Sequence, residues 1–305
     1  MALAFYCAAI VLAGFGWWFL RRVDDRLAWV GMAALASAII MLPVYFPGKD
    51  TGTKAAVLLC CVFPLKLWDA WLDRDSWRRA HLLDWLTFLA NPVALVHRCH
   101  IALSKPILVQ NLSGLARGLA EVTLGVILFR YLARHAPAHF PFWIDHGLRL
   151  LASYLCIWDG GCVLFTAVWR LLGFRCVEFS FHPILARTPA EFWRRYNHWI
   201  GQFLYEDLFR VVRCRRNPAV GVFTCFLAMG VLHEFLAWDL TGRVTWHLPA
   251  FFLLHAIATA ATFRLRPTGL GAVLGLAGTL TFHYFTSVLF FVRFGEVVGG
   301  WYPAY

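Results

Sequence analysis

One histidine, His233, sits deep inside an apolar run that extends from Ala219 to Trp238, and an aromatic, basic stretch from Glu191 to Asn197 lies just upstream. An ionisable side chain at membrane depth is costly to bury, so it usually faces a cavity and carries a role. A neutral imidazole, with a pKa near about 6.5, is the natural side chain to take a proton close to neutral pH. His233 has competitors in other apolar runs: Asp69, Asp159 (followed by Gly160 and Gly161), His255 and His283. A lone histidine in a helix is more often a hydrogen-bonded core residue than a catalyst. Asp159, His233, His255 and His283 together also have the makings of a proton relay in a transporter, and a non-catalytic scaffold would keep the same residues for packing. Spacing alone leaves these readings open.

The elements that must position His233 follow from composition. Of 305 residues, 60% are hydrophobic and only 15% charged, against roughly 45–50% and about 25% in a soluble domain. Most of the surface must therefore face something other than water. A helix needs about 20 apolar residues to cross the hydrocarbon core, and eight runs qualify, near 2–20, 27–46, 54–72, 114–134, 147–173, 219–238, 247–265 and 268–292. The expected fold is all-α, a polytopic transmembrane helical bundle of about eight spans within a single domain, 1–305. The stretch 82–102 holds Asp84, Asn91, Pro92, His97, Arg98 and His100, too polar for a lipid-facing span, and reads as an in-plane or re-entrant element.

Charge sets the orientation. Arg21, Arg22 and Arg26 follow the first run, and eight arginines (175, 187, 194, 195, 210, 213, 215 and 216) crowd the stretch 174–218. With 82–102 not crossing, both groups fall in the cytoplasm, as the positive-inside rule asks, and both termini fall on the non-cytoplasmic side. The first run lacks a positive leading region and a small-residue cleavage site, so it reads as a span and not a signal peptide. The net charge of +11 is explained by headgroups and phosphate ligands; no basic-aromatic pattern points to nucleic acid. The nine cysteines show no zinc-type spacing or disulfide framework, and no metal is expected. Cys176 and Cys214 lie near membrane boundaries, where acylation is conceivable.

Within 188–212, Thr188 and Pro189 make a helix start, and Glu191 three residues on completes a capping-box pattern. Phe192, Tyr196, Trp199, Phe203 and Leu204 then share one face, with Arg194, Arg195, His198, Gln202 and Glu206 on others. The pattern predicts one amphipathic helix lying at the cytoplasmic interface.

The run from Phe181 to Asn197, F-H-P-I-L-A-R-T-P-A-E-F-W-R-R-Y-N, resembles the membrane-bound O-acyltransferase family, closest to its wax synthase branch. Met229 to Leu236, M-G-V-L-H-E-F-L, resembles that family's second signature, a helix of small and apolar residues ending in His-Glu. The likeness covers about 181–236, and Tyr196 departs from it where tryptophan is usual. It implies an active site of Asn197 and His233 that moves an acyl group from acyl-CoA to a hydroxyl acceptor: a fatty alcohol, sterol, terpenoid or other natural product. His233 would act as general base, and the Asn197 amide as hydrogen-bonding partner of substrate or tetrahedral intermediate. Arg194 and Arg195, flanked by Trp193 and Tyr196, would then meet the phosphates of coenzyme A, for which guanidinium geometry suits; the alternative for these arginines is orientation and lipid contact alone. Glu234 projects about 100° from His233, so the two are not expected to pair.

Overall fold

The computed structural model describes residues 2–45, 57, 60–97, 108–174, 176–212, 217–299 and 302, and every regular element among them is helical. The chain divides into two compact units, 1–100 with 202–225 and 235–244, and 101–201 with 226–234 and 245–305.

The first unit opens with α1 (Ala2–Arg22) and α2 (Asp25–Tyr45). Asp24 separates them because its carboxylate accepts the amides of Arg26 and Leu27, at 3.0 and 3.2 Å, and so caps α2. Three shorter helices follow, α3 (Val62–Leu72), α4 (Arg74–Arg79) and α5 (Leu82–Ala90). Phe5, Ala9, Ala13 and Leu20 of α1 bury against Met32, Leu35, Phe63, Leu67, Trp77, Trp85 and Phe88. Charge is satisfied at the rim, where Arg78 reaches the Leu20 carbonyl at 3.0 Å and the Asp25 carboxylate at 2.5 Å. The expected in-plane element at 82–102 is represented by α5, and its end lies outside the described residues.

The second unit is built on α6 (Leu108–His139), α7 (Phe142–Ser153) and α8 (Gly160–Leu171). A π-turn at Tyr154–Trp158 joins α7 to α8, with the Asp159 amide bonded to the Tyr154 carbonyl at 2.8 Å. Glycine lets α6 and α8 approach: a Cβ at Gly118 would lie 2.8 Å from the Leu164 backbone nitrogen, and one at Gly160 would lie 2.7 Å from Glu121 Cβ. Two short helices, α9 (Pro189–Arg195) and α10 (His198–Phe203), carry the signature segment. The long apolar elements α11 (Pro218–Thr241), α12 (His247–Thr262) and α13 (Gly269–Val298) complete the chain. Asn217 caps α11 and Gly242, at φ 71°, ends it; its residues 226–234 belong to the second unit and its two ends to the first.

Among the described residues, six helical stretches are long and apolar enough to cross a membrane: Leu3–Arg22, Asp25–Pro43, Leu108–His135, Phe142–Leu171, Pro218–Thr241 and Gly269–Val298. The chain is a multi-pass membrane protein. Of the eight expected spans, the run at 247–265 forms a 16-residue helix, about 24 Å at 1.5 Å per residue. The run at 54–72 contains the 11-residue α3 and lies in part outside the described residues.

Candidate active site

The segment 188–212 departs from the single helix that its pattern suggested. Thr188 caps α9 as expected, its hydroxyl accepting the Glu191 amide at 3.1 Å. The Glu191 carboxylate reaches one residue further back than a capping box requires, to the Arg187 amide at 2.8 Å. Burial raises the Glu191 pKa, but the Arg187 amide and the Arg195 guanidinium outweigh it and hold the carboxyl below its ordinary value. The helix then breaks at Tyr196, and Asn197 adopts the left-handed region at φ 46°. Asparagine tolerates this conformation because its side chain bonds locally. Its Oδ1 accepts the Ile200 amide at 3.2 Å and its carbonyl accepts the Gly201 amide at 2.8 Å, so Asn197 starts α10. After α10 the chain passes into a π-turn at Leu204–Phe209. Apolar periodicity ran through the break; the competing signal was the asparagine.

Trp193 ties α9 to the apolar helices. Its ring packs edge-on to Phe226 of α11, at 5.2 Å between centroids, and its indole N–H donates to His255 Nδ1 at 3.2 Å. That bond makes His255 Nδ1 the bare nitrogen, so Nε2 carries the proton and donates to Thr286 Oγ1 at 3.0 Å, while Thr286 donates to the Phe282 carbonyl at 2.7 Å. His255 thus has both nitrogens occupied. His283 packs on Phe192, centroids 3.7 Å apart, with its Nε2 buried and without a hydrogen-bond partner among the described residues.

His233 differs. Its Nδ1 lies 2.8 Å from the Met229 carbonyl one helical turn back. A carbonyl only accepts, so Nδ1 holds a proton, and in the neutral ring Nε2 then presents a lone pair that no described residue engages. The ring rests against Phe252 (4.9 Å) and Phe290 (6.1 Å). No hydrogen bond or ring contact joins Asn197 to His233 among the described residues. What links their surroundings is aromatic: Tyr196 to Trp193 at 5.6 Å, Trp193 to Phe252 at 6.5 Å, and Phe252 to His233. Tyr196 is enclosed by Trp158, Phe179 and Phe192, and burial pushes its hydroxyl pKa well up.

The arginines separate by partner. Arg195 is spent on Glu191 at 2.5 Å. Arg194 is exposed, has no hydrogen-bond partner among the described residues, and has its pKa drawn down by desolvation and then by the like charge of Arg266. Arg266 lies in the turn after α12, where it meets the Phe263 and Leu265 carbonyls. α9 docks onto that turn through the Ala190 amide on Thr262 Oγ1 (3.2 Å) and Arg187 on the Pro267 carbonyl (3.4 Å). Arg187, Arg194, Arg264 and Arg266 are all exposed, a contribution from 264–266 that inspection of 187–216 alone missed. Arg210 belongs to the first unit and pairs with Glu206. Arg175, Arg213, Arg215 and Arg216, with Cys214, lie outside the described residues.

Asp159 and Cys176 resolve as structural groups. Asp159 accepts from Arg117 at 2.5 Å and from the Tyr154 hydroxyl at 3.0 Å, and no hydrogen bond among the described residues connects it to His233, His255 or His283. Cys176 is buried, and burial pushes its thiol up to about 11, which disfavours the thiolate that acylation needs. Glu234 turns away from His233, as its place on the helix requires, and accepts the Thr245 amide at 2.9 Å and the buried Arg293 guanidinium at 3.2 Å.

Over 132 residues the chain is 31% identical to the long-chain-alcohol O-fatty-acyltransferase of Simmondsia chinensis, covering 39% of this chain and 35% of that protein. In sequence, the chain is similar to wax synthases. Two probable long-chain-alcohol O-fatty-acyltransferases of Arabidopsis thaliana match at 36% over 96 residues (27% of each chain) and 29% over 136 residues (41% of this chain, 38% of the relative). The matched stretches therefore span well under half of these relatives' lengths. No protein-family model matches the chain.

Proposed function

We propose that the protein is a membrane O-acyltransferase that moves an acyl group from acyl-CoA to a long-chain alcohol, with residues 1–305 acting as one membrane-embedded domain. The observation that carries this reading is the state of His233: a neutral ring with Nδ1 tied to the Met229 carbonyl and Nε2 open, in a chain whose relatives are long-chain-alcohol acyltransferases. The alcohol oxygen attacks the thioester carbonyl while its proton passes to His233 Nε2. The tetrahedral intermediate collapses with loss of the thiolate, which takes the proton from His233, giving ester and free coenzyme A. A positioned base of this kind is worth about 10²–10⁴-fold. Asn197 keeps its amide N–H₂ available after its oxygen has capped α10, which suits a donor to substrate or intermediate.

The phosphates of the donor suit the exposed arginines 187, 194, 264 and 266, while Trp193 and Tyr196 border this region from the aromatic side and Arg195 is held by Glu191. This reading puts the segment 187–195 and the 263–268 turn at the cytoplasmic face and both termini on the other side, in keeping with the positive-inside rule. The test is purified protein with acyl-CoA and hexadecanol, followed by free-thiol release and ester formation. His233→Ala should lower both by at least about 100-fold; full turnover in that variant sinks the proposal. A proton-coupled transporter would give pH-dependent flux and no ester.

A further inference from the structure

At the far end of α11 from Pro218, beside His233 in the chain, three polar atoms are buried without a hydrogen-bond partner among the described residues: Glu234 Oε2, Thr245 Oγ1 and His247 Nδ1. Glu234 is only 6% exposed. The three residues belong to one small neighbourhood, since the Thr245 amide donates to Glu234 Oε1 at 2.9 Å and the left-handed Trp246 (φ 62°) turns the chain between Thr245 and the first residue of α12, His247. Buried polar atoms are nearly always paired, so three at one turn point to an occupant that can hydrogen-bond.

The chemistry of that occupant is constrained. A carboxylate oxygen accepts only, so the partner of Glu234 Oε2 must be an O–H or N–H donor. Among the described residues the buried Arg293 guanidinium lies between two carboxylates, Glu234 and Glu296, a surrounding that disfavours an anion such as phosphate or carboxylate. The position also matters. Trp193 meets α11 at Phe226, and Glu234 lies eight residues further along (234 − 226 = 8), about 12 Å. The polar cluster is thus displaced along α11 from the basic α9 on which the acyl donor is proposed to dock.

We propose that Glu234, Thr245 and His247 form a hydroxyl-recognition subsite for the acceptor, which holds a second hydroxyl of a diol-type alcohol while the first meets His233. One hydroxyl cannot serve both groups, because adjacent helical residues project about 100° apart. This inference rests on the acyltransferase reading for the acceptor's role, but the binding itself is separable from catalysis.

Two measurements on the full chain in detergent test it. The first compares kcat/KM for hexadecanol and for the vicinal hexadecanediol, in wild type and in Thr245→Val and His247→Phe. Wild type should favour the diol by roughly tenfold, the scale of one buried hydrogen bond, and each variant should erase most of that preference. The second compares the thermal shift produced by each alcohol without acyl donor; the diol should raise Tm more, and Thr245→Val should abolish the difference. Equal kcat/KM together with equal thermal shifts in wild type overturns the subsite, as does a preference untouched by both variants. A diol-specific thermal shift with no ester from either alcohol upholds the subsite and overturns the acyl-transfer reading instead.

Discussion

Two polar groups set in apolar helices, one in each unit, differ in how much of their hydrogen-bonding capacity the structure uses. Lys66 of α3 is completely buried, and its ammonium donates to three carbonyls at the end of α5, those of Phe88, Leu89 (3.3 Å) and Asn91 (2.5 Å). Its neighbour Asp69 takes the His97 amide at 2.8 Å. Every proton of that ammonium is spent on closing a helix end, where unpaired carbonyls would otherwise be buried. His233 of α11 spends one nitrogen on its own helix and keeps the other. On the proposed reading, unspent hydrogen-bonding capacity and not depth in an apolar helix sets His233 apart from Lys66. By that test His255, with both nitrogens engaged by Trp193 and Thr286, sides with Lys66, while Glu234 and His283, each with a buried atom unpartnered among the described residues, side with His233.

The largest expected effect that would break this comparison is on stability. Lys66→Met fills the space but donates nothing, leaving three carbonyls at the α5 terminus to lose about 1–3 kcal/mol each. Part of that returns because a buried ammonium is itself costly, so we expect a net loss of roughly 3 kcal/mol, read from denaturant midpoints in detergent. Acyl transfer per folded molecule should be unchanged, the reverse of His233→Ala, which should keep the fold and lose the turnover. A stabilised Lys66→Met would show that the ammonium is retained for something other than the α5 carbonyls.

A smaller effect sharpens the assignment of His255. Trp193→Phe keeps the aromatic contacts to Phe226 and Phe252 but removes the indole N–H that His255 Nδ1 accepts. A double-mutant cycle of Trp193→Phe with His255→Leu should give a coupling of roughly 1 kcal/mol in unfolding free energy. Coupling near zero would mean that the 3.2 Å bond contributes nothing and that His255 belongs with the unspent groups.

Much of this was legible in the sequence, for identifiable reasons. Long apolar runs fix helices because lipid leaves the backbone no other partner, so α1, α2, α6, α11 and α13 were readable from hydropathy, as was the Thr188 start of α9. The two motifs, Phe181 to Asn197 and Met229 to Leu236, carried the family resemblance. The break at Asn197 was not legible, because an amphipathic period and a left-handed cap both tolerate the residues present. Nor was the partner of Glu234: Arg293 lies 59 residues away (293 − 234 = 59), and only packing of α11 on α13 brings them together. Asp159 gave the weakest return, since its capture by Arg117 depends on the close approach of α6 and α8 that Gly118 and Gly160 permit.

The smallest effect concerns the edge of the site, where charge is screened. Glu191 has a folded pKa below its ordinary value, near about 4.3, because the Arg187 amide and Arg195 stabilise the carboxylate more than burial opposes it. A depressed carboxylate pKa contributes stability that is present above the unfolded value and is lost as pH falls through the folded one. The start of α9 should therefore hold its structure at neutral pH and loosen below about pH 4, a local change because only the Thr188 cap and one ion pair are involved. Hydrogen exchange of the amides of residues 189–195, measured across that range, should show protection falling with acid in wild type. In Glu191→Gln, which retains an acceptor for the Arg187 amide but not the charge, protection should be lower at neutral pH and nearly flat with acid. An equally steep pH dependence in the glutamine variant would place the titrating group elsewhere and leave Arg195 free to act alongside Arg194.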